Sequence, residues 1–227
     1  MKQKFLVPNE LRPYHEIRDV VHTGAFVFYN GRESRFSSII RTFTGVPPHV
    51  GVIRRTPKND EGLDAVLVIE STTMNSVTGQ RGVQQSRLSE SIFYHKGDVW
   101  LGILHPWLRE EYDYDAAEKY CISIEGKPYD FIQAITSGVR HYLGIIPSRS
   151  FKNQIYCSEL AAGMTGAALP RLAKRRFWRQ TPSPNQLVRE FPIFEKFIQV
   201  KVYDKPLPLI SSWLSKEYYD QITSPTV

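Results

Sequence analysis

Cys157 lies in Gln154-Ile155-Tyr156-Cys157-Ser158-Glu159-Leu160-Ala161-Ala162, where an Ile-Tyr pair gives way to a run of good helix formers. That order puts the cysteine in the first turn of a predicted helix over 157–169, which Pro170 ends. Free N–H groups and the positive end of the helix dipole favour a thiolate there, and the thiolate is the nucleophilic form. The same residue also suits a small buried side chain, because free cysteine is among the most buried residue types. The other cysteine, Cys121, falls in the middle of a predicted helix over 110–124, in AAEKYCISIEG. No helix end or basic neighbour activates it, and it reads as a core thiol.

A thiol nucleophile needs a base. Of the six histidines, His49 opens the predicted strand HVGVIRR directly after Pro47-Pro48. A side chain at a strand end can project over a sheet edge and meet a helix N-terminus packed on that sheet, and Gly51 leaves room for a close neighbour. His95, in a polar turn, and His105, before Pro106, read as solvent-facing. His15, His22 and His141 have no distinguishing context. The base in turn needs an orienter on its far ring nitrogen. Glu70 ends the apolar run AVLVI; it marks either the strand leaving the core or a polar partner. Ser71, Gln84 and Gln85 are alternatives for the same role.

The elements that must position these residues are legible in the spacing. GAFVFY (24–29) is rich in β-formers and stops at the turn pair Asn30-Gly31. Residues 34–43 carry apolar side chains at 36, 39, 40 and 43, a helical period closed by Gly45-Val46-Pro47-Pro48. DAVLVIES (64–71) is apolar without alternation at its centre, as a strand covered on both faces would be. Residues 79–85 read as a turn and short strand, and DVWLGIL (98–104) as a strand. Helices are predicted over 129–143 and 184–190, and a strand over 194–203. Strands first and helices later, without regular βαβ alternation, predict an α+β fold. Residues 1–22, with Pro8 and Pro13, read as an irregular lead-in to a domain over 23–205. Residues 206–227, with Trp213, Tyr218 and Tyr219, read as an extension packed on that domain.

Composition narrows the function classes. The chain has 227 residues, 41% hydrophobic and 23% charged, which excludes a disordered chain. Two cysteines exclude a disulfide scaffold. No apolar run approaches the ~18 residues of a membrane span. MKQKFLVPNELRP offers only Phe5-Leu6-Val7 before Pro8 and so no secretory core, which predicts a cytoplasmic protein unless lysis or injection delivers it. Lys and Arg number 29 against 23 Asp and Glu, a net charge of +6 that favours anionic partners without choosing among them. Residues 171–179, RLAKRRFWR, hold Arg171, Lys174, Arg175, Arg176 and Arg179 around Phe177 and Trp178. They fit either an anionic surface or a solvated basic loop. No zinc-ligand spacing or phosphate-binding Gly-rich loop is present, and nothing requires nucleic acid.

TGVPPHVGVI, VIES, GVQ, GKPYDF and IYCSEL follow one another in this order. The set resembles the circularly permuted NlpC-like hydrolases of the papain-like fold, the YiiX/YebB-like group, from about Gly24 to Thr181. The resemblance implies a papain-like α+β domain, an antiparallel sheet packed against helices. It implies Cys157 as nucleophile, His49 as general base and Glu70 as third member, with no metal or organic cofactor. Tyr129 and Asp130, in GKPYDF, match a family position near the cleft and are expected to bind substrate; as bare residues they equally suit a helix start. The implied substrate is a peptide or other amide, with peptidoglycan-derived peptides the family's class. Two other functions remain open: lipid acyl transfer or thioester hydrolysis of the lecithin:retinol acyltransferase type, and a non-catalytic binding module on the same fold.

Overall fold

The computed structural model describes residues 10–31, 47–130, 134, 154–174, 182–189 and 193–202. Seven strands form one sheet: β1 (Glu10–Leu11), β2 (Phe26–Gly31), β3 (His49–Arg55), β4 (Val66–Thr72), β5 (Gly82–Arg87), β6 (Gly97–Leu104) and β7 (Phe194–Lys201). Their order across the sheet is β1-β7-β6-β2-β3-β4-β5. Every neighbouring pair is antiparallel except β1 with β7, which is parallel. The described helices are α1 (Tyr14–Ile17), α2 (Leu88–Tyr94), α3 (Pro106–Glu110), α4 (Tyr114–Ile124), α5 (Cys157–Ala168), α6 (Pro170–Ala173) and α7 (Pro184–Arg189). The fold is α+β, as the sequence predicts.

Strand alternation divides the core into two layers. Phe26, Phe28, Val50, Val52 and Ile69 face Leu160, Ala161 and Met164 of α5, with Ala117 and Ile124 of α4 in the same layer. Val27, Tyr29, Ile53, Val66 and Val68 face the other way, against Tyr14 and Ile17 of α1 and Leu88 and Ile92 of α2. β4 lies inside the sheet and contributes to both layers, which is why its apolar centre does not alternate. Gly51 sits between flanking strands. A Cβ there would come within 2.6 Å of Val68 Cγ2 and 3.1 Å of Val27 Cγ1, so the room it leaves is filled from β4 and β2.

Several elements differ from expectation. Residues 10–22 are not irregular where described. β1 extends the sheet, and Tyr14, Ile17 and Val21 are buried core. The helix expected over 110–124 is two helices. Pro106 starts α3, and the Asp113 side chain accepts from the Ala116 N–H at 2.9 Å to cap α4. Pro170 ends α5 and also begins α6, because proline suits a first helical position. α2, unrecognised in the sequence, fills the turn between β5 and β6. Tyr129 does not open a helix: it forms a parallel bridge with Ile155, the Ile155 N–H donating to the Pro128 carbonyl at 3.1 Å. The helix expected over 34–43, the tail from 206 and most of 129–143 lie outside the described residues.

The C-terminal end of α2 is held by a buried lysine. Lys201 Nζ, at the end of β7, donates to the carbonyls of Ile92 (2.8 Å), Phe93 (2.6 Å) and His95 (2.6 Å). Burial lowers the pKa of its ammonium. The cation sits where the helix dipole is negative, which offsets part of that desolvation. Lys201→Met keeps the stem but leaves these carbonyls without the donor. It is expected to destabilise the protein by about 2 kcal/mol or more, read as a lower urea midpoint at unchanged slope.

Candidate active site

β3 begins at His49 because Pro47-Pro48 fixes the chain just before it. His49 stands opposite Tyr29 of β2, their rings 5.5 Å apart. Across β3 and β4, Val52 pairs with Ile69, which sets Gly51 against Glu70. By alternation His49, Gly51 and Glu70 therefore share one face of the sheet. His49 Nε2 meets Glu70 Oε2 at 2.8 Å. The carboxylate's other oxygen, Oε1, accepts from Asn75 Nδ2 at 2.5 Å. Asn75 is itself fixed, its Oδ1 accepting from the N–H groups of Val77 (2.8 Å) and Thr78 (2.9 Å). Glu70 is thus a buried carboxylate with a partner on each oxygen.

Cys157 is the first residue of α5, after Tyr156 in extended conformation. The first helical hydrogen bond runs from Leu160 N–H to the Tyr156 carbonyl, so the amides of the preceding turn point past the helix end toward the cysteine. The helix start is tied to the sheet. Ser71 Oγ donates to the Ile155 carbonyl at 2.6 Å, and the Tyr129 bridge flanks the same residue. α5 packs on the Val50–Val52 face, whereas His49 and Glu70 lie on the opposite one. The Cys157 sulfur acts on the His49 ring at the end of the sheet where β3 starts rather than across it.

Burial alone would lower the pKa of the His49 ring. The hydrogen bond and charge of the Cys157 sulfur, together with Glu70, outweigh this and raise it to about 10. Nε2 is engaged by Glu70, so Nδ1 is the nitrogen left for sulfur. Burial pushes the Cys121 thiol up to about 11, and its sulfur lies 3.5 Å from that of Met164 in the core.

No family model matches the chain, and no curated protein matches it in sequence. Among solved structures, the metalloprotein YiiX from Escherichia coli O157:H7 is similar over 80% of this chain and 97% of its own, at 18% identity and a TM-score of 0.46.

A cavity of about 530 Å³ opens beside His49 and Glu70, with Tyr29, Asn75 and Tyr129 among its walls. Tyr129 therefore faces the cleft; burial, and then the Cys157 sulfur, raise its phenol above its usual pKa. Asp130 is fully buried and does not line the cavity. Gln84, opposite Glu70 in the sheet, accepts from Thr78 and donates to the Gln80 carbonyl, so it supports the 73–80 loop rather than the ring. Gln85 is exposed and receives a hydrogen bond from Arg54 at 3.1 Å. Among the weighed alternatives for the third role, none contacts His49, whereas Glu70 does.

Sequence reasoning missed two residues here. Asn75 lies in a polar loop whose fold-back over Glu70 has no local signature. His95 was expected to face solvent; its ring packs tilted against Tyr29 at a centroid distance of 4.9 Å, and the residue lines the cavity. Of the basic segment, Arg171 and Lys174 are described. Arg171 pairs with Glu111 at 2.9 Å and lies over the Trp107 ring at 4.5 Å. Arg175, Arg176, Phe177, Trp178 and Arg179 lie outside the described residues. Among the described residues no group of three or more His, Cys, Asp or Glu is placed to hold a metal, and no helix is long and apolar enough to cross a membrane.

Proposed function

We propose that the protein is a cysteine hydrolase of papain-like type that cleaves amide bonds, with peptides, including peptidoglycan-derived ones, as the substrate class. The observation that carries this reading is one imidazole held by Glu70 on Nε2 at 2.8 Å and raised in pKa by the sulfur of the cysteine that opens α5. His49 takes the Cys157 proton, and the thiolate attacks the substrate carbonyl to form a C–S bond. Amides of the first turn of α5 are placed to stabilise the oxyanion. The C–N bond then breaks as His49 gives its proton to the leaving amine. Water, deprotonated by His49, attacks the thioester. The C–S bond breaks, the carboxylic acid leaves, and the proton returns to the Cys157–His49 pair. Glu70 accepts from Nε2–H throughout, holding the ring and favouring its cationic form. Tyr129 contributes a wall of the substrate cleft.

Brief alkylation with iodoacetamide at neutral pH, followed by peptide mapping, tests the nucleophile. Cys157 is expected to be carboxamidomethylated at least tenfold faster than Cys121, whose raised pKa leaves almost no thiolate. Equal labelling would remove Cys157 from the role. Turnover of short amides without lipid supports the amidase; turnover confined to fatty-acyl esters on vesicles would transfer the same residues to lipid acyl chemistry.

A further inference from the structure

The Asn75 amide, in the loop between β4 and β5, has only one possible orientation. The Val77 and Thr78 N–H groups donate to one of its terminal atoms. That atom is Oδ1, because a backbone N–H can only donate. The other is therefore the NH2 group, and it donates to Glu70 Oε1 at 2.5 Å. The backbone closes on the same residue: Asn75 N–H donates to the Gln80 carbonyl at 2.9 Å, and Gly79 N–H to the Asn75 carbonyl at 3.0 Å. Thr78 and Gln84 tie this loop to β5. Asn75 is buried, so the donor is held against Glu70 from two directions.

That donor restricts where a proton can sit. An NH2 group offers no acceptor, so Glu70 Oε1 carries no proton while it faces Asn75. A hydrogen bond to the ionised form of a carboxyl also favours that form. Glu70 Oε2 is then an acceptor for His49 Nε2–H, whether the ring is cationic or neutral. In the neutral ring this leaves the Nδ1 lone pair for the Cys157 proton. A proton on Oε2 would reverse the bond: Nε2 would accept, Nδ1 would keep its hydrogen, and the ring would be no base. Among the described residues, the titratable groups that act on His49 and Glu70 are Cys157 from α5, Tyr29 from β2 and His95 after α2, with Tyr129 beside Cys157.

We propose that Asn75 is a positioning residue for the Cys157–His49 pair: its donation to Glu70 Oε1 keeps Glu70 an acceptor for the far nitrogen of the ring. This role rests on the hydrolase reading, since it concerns how that base is prepared. An asparagine that served only to fold the loop would act independently of Glu70, which separates the two roles.

A double-mutant cycle reads that dependence. Asn75→Ala and Asn75→Ser are made in the wild type and in Glu70→Gln, and Cys157 alkylation by iodoacetamide is followed from pH 4 to 9 by peptide mapping, with thermal melting alongside. Alanine removes both the donor and the acceptor for Val77 and Thr78; serine keeps an oxygen for that turn but stops short of Glu70, so it serves if the alanine variant does not fold. Without the donor, Glu70 takes up a proton more readily and the imidazolium beside the thiolate loses its anion. The acid-side midpoint of alkylation is therefore expected to rise by about one pH unit in either variant, the tenfold change that corresponds to losing a hydrogen bond to a charged group. In Glu70→Gln, which has no carboxyl to protonate, the same substitutions are expected to move it by less than about a third of that. No shift in the wild-type background, or an equal shift in both backgrounds, overturns the positioning role and leaves the hydrolase standing. Cys157 labelled no faster than Cys121 in the wild type overturns the hydrolase and this role with it.

Discussion

Replacing His49 is expected to reduce amide turnover by roughly 10²–10⁴-fold, the range for loss of a positioned acid–base group. The choice of replacement matters. His49→Ala also leaves Glu70, a buried carboxylate, with Asn75 alone, so it is expected to lose about 1–3 kcal/mol of stability besides activity. His49→Gln keeps a donor within reach of Glu70 and is expected to be equally inactive but closer to wild type in thermal melting. A variant of either kind with full turnover would dismiss His49 as the base. The pH profile carries a second expectation. The ring's pKa is raised from 6.5 to about 10, so the imidazolium that protonates the leaving amine persists through neutral pH and is lost as pH rises through about 10. The alkaline limb of turnover is therefore expected near pH 10. Glu70→Gln, which removes one of the groups raising the ring, is expected to move that limb downward and to reduce the rate less than loss of His49 does. An alkaline limb at pH 6–7 in the wild type would contradict the arrangement. By the same sign, the stability that protonated His49 contributes is whole below about pH 6.5 and gone above about pH 10.

The site was legible in the sequence where chemistry and local structure coincide. Pro47-Pro48 before a strand marks His49, the end of an apolar run marks Glu70, and a run of helix formers after Ile-Tyr marks Cys157. Each signal needs only a few neighbouring residues. Asn75 and His95 carry none, because their roles depend on chain segments distant in sequence. Asn75 reaches Glu70 through a loop folded back on its own strand, and His95 is placed by Lys201, 106 residues away. The sequence expects His49 to meet a helix packed on the sheet; it does not show that His49 and α5 lie on opposite faces, because that depends on the pairing of β3 with β2 and β4. α2 escaped notice because LSESIFY, seven residues long, is too short to show a helical period. The cavity itself has no signature in the sequence, because its walls are drawn from β2, β3, β4, α2 and the loops around them.

Asp64→Asn tests a buried charge cluster at the Arg55 end of β3, the opposite end of the strand from His49 and the proposed chemistry. Asp64 Oδ1 accepts from Arg18 Nη2 at 2.5 Å, and Oδ2 accepts from Arg55 Nε. Arg18 is fully buried, and the Asp64 side chain is 4% exposed. Arg55 also donates to the carbonyl of Val21 at 3.0 Å, so the cluster fastens the segment before β2 to β3 and the start of β4. Removing one partner of a buried pair leaves the other charge without compensation, which destabilises by about 3–5 kcal/mol. Asparagine preserves the shape, so the expected fall of roughly 10 °C in Tm reports charge rather than a cavity. Arg54→Gln is the control. Its pair with Glu118, at 2.6 Å, is nearly as short, but the two side chains are 27% and 40% exposed, and its loss is expected to change stability by less than about 1 kcal/mol. Acid adds a further check. Burial would raise the Asp64 carboxyl, but Arg18 and Arg55 outweigh it and lower its pKa below the usual value. Its contribution is therefore complete above about pH 4–5 and lost as pH falls through the lowered value. The stability difference between wild type and Asp64→Asn is expected to be constant from pH 8 to 5 and to shrink below that. A constant difference down to pH 2, or an Asp64→Asn variant as stable as Arg54→Gln, would show that the ion cluster does not hold the segment.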